Sequence, residues 1–101
     1  RRIAVLGEIG ELGEEGPRLH ALVGSYAAAK KPDLLVCVGT ACAEEMAAAA
    51  HLMGMPARSV AIAGDTERAT ELVRQSLRSD DTLLVKGSRF LGLDRLVEEV
   101  C

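Results

Sequence analysis

Apolar residues cluster in four short blocks along the chain and recur at three-and-four spacing in the stretches between them. Ile3-Ala4-Val5-Leu6 and Leu34-Leu35-Val36-Cys37-Val38 are unbroken apolar runs closed by Gly7 and Gly39, the signature of strands buried on both faces. Ser59 to Ala63 reads as a third, weaker strand and Thr82 to Val85 as a fourth. After the first strand, Leu19, Leu22, Val23, Tyr26 and Ala27 predict a helix that opens at Pro17 and runs to about Ala29, where Lys30-Lys31-Pro32 stops it. Thr40 is placed to N-cap a second helix, Ala41 to about Met53, ended by Gly54 and Pro56. Asp65 or Thr66 caps a third, running through Leu77 with Ala69, Leu72 and Val73 on one side, and Leu91 to Val100 is amphipathic enough for a fourth.

Four strands alternating with four helices over short connections imply a parallel sheet covered on both faces. The expected fold class is α/β, a Rossmann-like three-layer α/β/α arrangement with a mainly parallel sheet, and residues 1–101 form one domain with no linker or repeat. Alanine, valine, leucine and isoleucine must build the core, since Trp is absent and the aromatics are Tyr26 and Phe90.

Charge and composition narrow the function classes. The net charge is −3 and no basic run with interleaved aromatics is present, which argues against nucleic acid as a partner. No stretch approaches the ~20 apolar residues of a membrane span, and Arg1-Arg2 leads into a strand, not a signal-peptide core, so a cytoplasmic setting without membrane contact is expected. Cys37, Cys42 and Cys101 lack metal-ligand spacing, and Cys37 reads as a small buried hydrophobe.

Candidate chemistry falls at the carboxyl ends of the strands, where open parallel sheets bind ligands. Lys86-Gly87-Ser88-Arg89 puts two cations and a hydroxyl at the point where the fourth strand gives way to a helix, a corner suited to a carboxylate or phosphate. Glu8 to Gly16 is a loop with glycine at every third position and four carboxylates. If the first and fourth strands are neighbours, Glu8 and Glu11 face Lys86, Ser88 and Arg89 across a gap that fits a zwitterion. Solvated loop charges and surface ion pairs are the plain alternative. The loop's GxxGxxG order is not the dinucleotide fingerprint, and its acids would repel a pyrophosphate. His20 sits at the buried edge of the first helix, where it serves as a satisfied core histidine or bonds the acidic loop and fixes its shape. Ser88 has no histidine-plus-acid partner in view, so it reads as a hydrogen-bond donor.

These motifs are similar to a known family. Arg2 to Glu8, Glu11-Leu12-Gly13, His20 with Val23-Gly24, Asp33 to Val36 with Val38-Gly39, and Leu84 to Arg89 with Leu93-Asp94 and Val97 resemble, in order and over nearly the whole chain, the C-terminal domain of the Mur ligases, in the branch that adds D-Ala-D-Ala. The DNPR-type motif of the branch that adds diaminopimelate or lysine has no counterpart. The resemblance implies one domain of a longer three-domain ligase of peptidoglycan synthesis, in which ATP activates the carboxylate of UDP-MurNAc-tripeptide and the amine of D-Ala-D-Ala attacks the acyl phosphate. It further implies that ATP and Mg2+ are bound mainly outside this chain, by a central domain over which this one closes, and that the isolated domain is inactive. Substrate-binding residues would be Lys86, Ser88, Arg89, Glu8 and Glu11, with His20, Gly10 and Gly13 supporting the loop. Glu8 stands where the family usually has aspartate, and Phe90 where it has a small or polar residue. Further strands of the family would precede Arg1, leaving the fourth strand with an unpaired edge. A stand-alone Rossmann- or flavodoxin-like module binding a small ligand or a protein is the competing reading.

Overall fold

A computed structural model describes residues 1–10, 12–87 and 91–100. Its elements run β1 (Arg2–Gly7), a 3-10 turn (Gly13–Glu15), α1 (Gly16–Ala29), β2 (Leu34–Val38), α2 (Ala41–Leu52), a second 3-10 turn (Ala57–Ser59), β3 (Val60–Ala63), α3 (Thr66–Ser76), β4 (Thr82–Lys86) and α4 (Asp94–Val100). All the pairings are parallel and the strand order is β3-β2-β1-β4. The α/β class and the alternation of four strands with four helices are as expected from the sequence.

Side-chain alternation along β1 and β2 sorts the core into two layers. Ile3, Val5, Val36 and Val38 face α3, α4 and the turn before α4, where Ala69, Val73, Leu96 and Leu93 cover them. Ala4, Leu35 and Cys37 face the other way, against Ala28 of α1 and Ala43, Met46, Ala47 and Ala50 of α2. The small residues of this second layer let the helices come close. At Gly24 of α1 an added Cβ would lie 2.2 Å from the Met46 carbonyl oxygen, so glycine is required there by the neighbouring helix backbone.

Handedness explains why the helices divide as they do. From β1 to β2 to β3 the chain steps one way across the sheet with α1 and α2 on one face, and the return from β3 to β4 must cross on the opposite face to stay right-handed, which is where α3 lies. The reversal makes the gap between β1 and β4 the topological switch point. β4 is a terminal strand, paired among the described residues only with β1, and Leu84 on it is 52% exposed.

Most local signals behave as read, though α3 ends at Ser76, one residue before Leu77. Asp65 caps α3 by accepting the Arg68 N–H at 2.8 Å, and Lys31, at φ 53°, turns the chain out of α1 before Pro32. Thr40 precedes α2 but its side chain does not cap it. Ser59 belongs to the 3-10 turn, so β3 starts at Val60. The last helix begins at Asp94, not Leu91, because Gly92 adopts φ 64° and the preceding leucines pack on the strand ends instead.

Candidate functional site

β1 and β4 end side by side, with Leu6 in register with Lys86. The next residues are Gly7 and Gly87, and they touch. A Cβ added to Gly87 would stand 3.2 Å from the Gly7 Cα, 3.3 Å from its nitrogen and 2.6 Å from a δ-methyl of Leu93. A Cβ on Gly7 would meet the δ-methyls of Leu91 and Leu93 at 2.5 and 2.9 Å. Two backbones without side chains, roofed by two leucines, thus bring the acidic loop and the cationic corner to a common root at the switch point.

On the β4 side, Lys86 is exposed and makes no hydrogen bond or ion pair with any other described residue. Beneath it an open apolar furrow of about 400 Å³ runs along Leu6, Val23, Tyr26 and Leu84. The expectations for Ser88 and Arg89, and for Glu11 on the opposite loop, lie outside the described residues. Just beyond the corner, the Leu91 carbonyl accepts a hydrogen bond from the Thr66 hydroxyl at the start of α3, and Thr66 in turn accepts one from the Thr70 hydroxyl at 2.8 Å.

On the β1 side, Glu8 is used differently from the expectation that it faces Lys86. Its N–H donates to the Val38 carbonyl at 3.0 Å, and its carboxylate accepts from the Thr40 N–H and, at 3.3 Å, from the Thr40 hydroxyl. The side chain therefore leans toward β2, on the opposite side of β1 from β4. The reason is electrostatic, since the first N–H groups of α2 lack intrahelical acceptors and carry partial positive charge. Gly39 makes room. At φ +139° it passes under the Glu8 carboxyl group, and any Cβ there would overlap it.

His20 is hydrogen-bonded to the loop backbone. It is 1% exposed, its Nε2 accepts the Ile9 N–H at 2.8 Å, and its Nδ1 lies 2.6 Å from the Gly16 carbonyl. A backbone N–H can only donate and a carbonyl only accept, so the ring is neutral with its proton on Nδ1. Both nitrogens are occupied, which removes His20 from acid–base catalysis. Gly13, at φ 57°, starts the 3-10 turn that leads into α1 in a conformation side chains resist.

Nothing else described here is armed for covalent chemistry. Burial pushes the Cys37 thiol up to about 12. Cys42, in the first turn of α2, is also raised, by desolvation and then by the charges of Glu8 and Glu45. Among the described residues no three His, Cys, Asp or Glu side chains converge as a metal site would require, and no helix is long and apolar enough to cross a membrane. What the crevice can do is hold an anion at one wall and shape the other with a braced loop. Sequence reasoning missed Thr40, Gly39 and Thr66 as parts of this arrangement. The glycines ending both apolar strands were the available signal for the close approach.

Comparison with known proteins identifies the family. Residues 1–89 match the family profile of the Mur ligase glutamate ligase domain. The fold is similar to that of MurF from Acinetobacter baumannii, in one crystal structure with a TM-score of 0.78 and 25% identity, covering 98% of this chain and 22% of that one. A second crystal structure of the same enzyme gives a TM-score of 0.70 and 28% identity over 97% of this chain and 21% of that one. MurF ligase from Thermotoga maritima, in complex with ADP, gives 0.72 at 20% identity, covering 99% and 21% respectively. The chain thus spans about a fifth of the length of these structures.

Proposed function

The chain belongs to the Mur ligase family, and from that premise we propose that it is the acceptor-side C-terminal domain of a longer, three-domain ligase that joins D-Ala-D-Ala to UDP-MurNAc-tripeptide in peptidoglycan synthesis. The observation that carries this reading is Lys86. It is an ammonium without a partner among the described residues, at the end of β4, where Gly7 and Gly87 press the two loops together at the switch point.

D-Ala-D-Ala is a zwitterion, with an amine at one end and a carboxylate at the other. Its carboxylate suits Lys86 with Ser88 and Arg89, which follow it in sequence, since charge-assisted bonds are the strongest an anion can find. Its amine then lies toward the Glu8–Gly13 loop, where Glu11 is the acid left to meet it once Glu8 has turned to Thr40. Such a domain contributes to catalysis by positioning. It fixes the amine's approach to the activated carboxyl carbon and sheds water as the domains close. ATP and Mg2+ supply that activation. Among the described residues the crevice offers one ammonium and no group of carboxylates for a cation, which does not fit a triphosphate with its metal ion, so both are assigned to the rest of the polypeptide, together with the UDP-tripeptide.

The test is phosphate release from ATP by the full-length polypeptide with UDP-tripeptide present and D-Ala-D-Ala added or withheld. Dipeptide-dependent release is expected, and Lys86→Ala and Arg89→Ala should each raise the dipeptide KM by roughly ten- to a hundredfold, the worth of one charge-assisted bond. Release that ignores the dipeptide would refute the acceptor assignment, and unchanged kinetics in both variants would remove the corner from the site.

A further inference from the structure

The loop after β1 is gripped at two consecutive residues by two different helices. Glu8 reaches over Gly39 to the Thr40 N–H at the head of α2, and Ile9 gives its N–H to His20 in α1. The helices are themselves fixed against each other where Gly24 meets the Met46 backbone. The two anchors are thereby tied to one helix pair.

His20 is an unusual side chain to bury for packing alone. At 1% exposure it has lost the water around both ring nitrogens, and each is matched by a backbone group instead. A leucine would fill similar space without that desolvation. What the imidazole adds is geometry: a rigid ring with nitrogens facing different ways bridges a helix carbonyl and a loop N–H at a set distance. Buried polar pairs that are fully satisfied specify one arrangement more than they add stability.

We propose that His20 is a positioning residue for the acceptor substrate. Braced on the Gly16 carbonyl, its neutral ring fixes the Ile9 amide, and with the Glu8 anchor on α2 it sets where the loop leaves β1 beside the end of β4. The proposal rests on the reading of that crevice as the acceptor site. His20 touches no reacting atom and acts through Ile9.

Two near-isosteric substitutions separate its two bonds. In His20→Gln the amide oxygen falls near the place of Nε2 and still accepts the Ile9 N–H. In His20→Asn the amide nitrogen falls near the place of Nδ1 and still donates to Gly16, but Ile9 is out of reach. In the full-length polypeptide, with ATP and UDP-tripeptide saturating, His20→Asn is expected to raise the KM for D-Ala-D-Ala about tenfold, the worth of one buried hydrogen bond. Its kcat and its KM values for the other two substrates should stay within about twofold of wild type, an effect of well under 1 kcal/mol. His20→Gln should restore most of the dipeptide KM. Hydrogen exchange on the same proteins should show faster exchange over 8–13 in His20→Asn alone, with α1 still protected. Equal dipeptide KM values in all three proteins would overturn the proposal, and so would a His20→Asn defect spread equally over kcat and every KM. Should wild type show no dipeptide-dependent turnover, the acceptor reading falls and with it the substrate role of His20. The exchange data then judge the bracing of the loop by themselves, and identical exchange over 8–13 in both variants would refute that too.

Discussion

Replacing Gly24 with alanine sets helix propensity against packing, and the structure says which wins. Alanine is favoured over glycine inside a helix by roughly 0.5–1 kcal/mol, and Gly24 sits in the middle of the 14-residue α1. Propensity alone therefore predicts a more stable protein. Against it, the new Cβ would stand 2.2 Å from the Met46 oxygen and 2.8 Å from its carbonyl carbon and Cα, whereas carbon and oxygen in contact keep about 3.3 Å apart. Every atom it meets is backbone of α2, so no rotamer change relieves the overlap and the helices must part by about 1 Å, loosening a layer packed at crystal-like density. Overpacking of this kind costs about 1–3 kcal/mol, and separating the helices also withdraws Ala28, Ala47 and Ala50 from their contacts. The net expectation is destabilisation by about 1–2 kcal/mol, a fall in Tm of roughly 4–16 °C for a domain of this size. Thermal unfolding followed by circular dichroism measures it, with Ser25→Ala, one residue along and half-buried, as the control for propensity. A Gly24→Ala protein that melts at or above the wild-type temperature would refute the close approach of the two helices.

Two further outcomes follow from the titrating groups. Asp81 accepts Nε and a terminal nitrogen of Arg1 at 3.2 and 2.9 Å, and its carboxyl is held down at about 2, chiefly by that hydrogen bond. Its folded pKa lies below the unfolded value of about 3.9, so its stabilisation is complete above about pH 4 and lost as the pH falls toward about 2. Acid titration of stability should therefore lose a step in Asp81→Asn, and superimposable profiles would count against the pairing. Cys37, raised to about 12 by burial, is about one part in ten thousand thiolate at pH 8. Iodoacetamide followed by peptide mapping should label it only after denaturation, and rapid labelling in the folded chain would contradict its enclosure.

The strands and helices were legible because each carries its own signal within a few residues, such as the run Leu34 to Val38 closed by glycine or Asp65 three residues before the N–H it caps. Strand order was not. Nothing local to Val5 or Val85 states that they pair, because a parallel neighbour is fixed by handed crossovers over the whole sheet. Glu8 shows the same limit at the candidate site. Its partner Thr40 is 32 residues away and comes within reach only through the register of β1 on β2, so nothing near Glu8 in the sequence reveals that the carboxylate is used within the chain. His20 was easier, since one turn of helix separates it from Gly16 and the loop it serves directly precedes that helix. The shortened α4 has a tertiary cause, because Leu91 and Leu93 carry a helical pattern yet are needed over Gly7 and Gly87.

The contact between Gly7 and Gly87 turns the sheet into a gauge. Hydrogen-bonded strands keep a spacing of about 4.8 Å, and the loops that leave β1 and β4 inherit it at their roots, independent of any motion farther along them. The roots of the two loops therefore keep one separation whatever the loops do beyond them. A molecule that bridged both roots would be selected by its length before any polar group is matched.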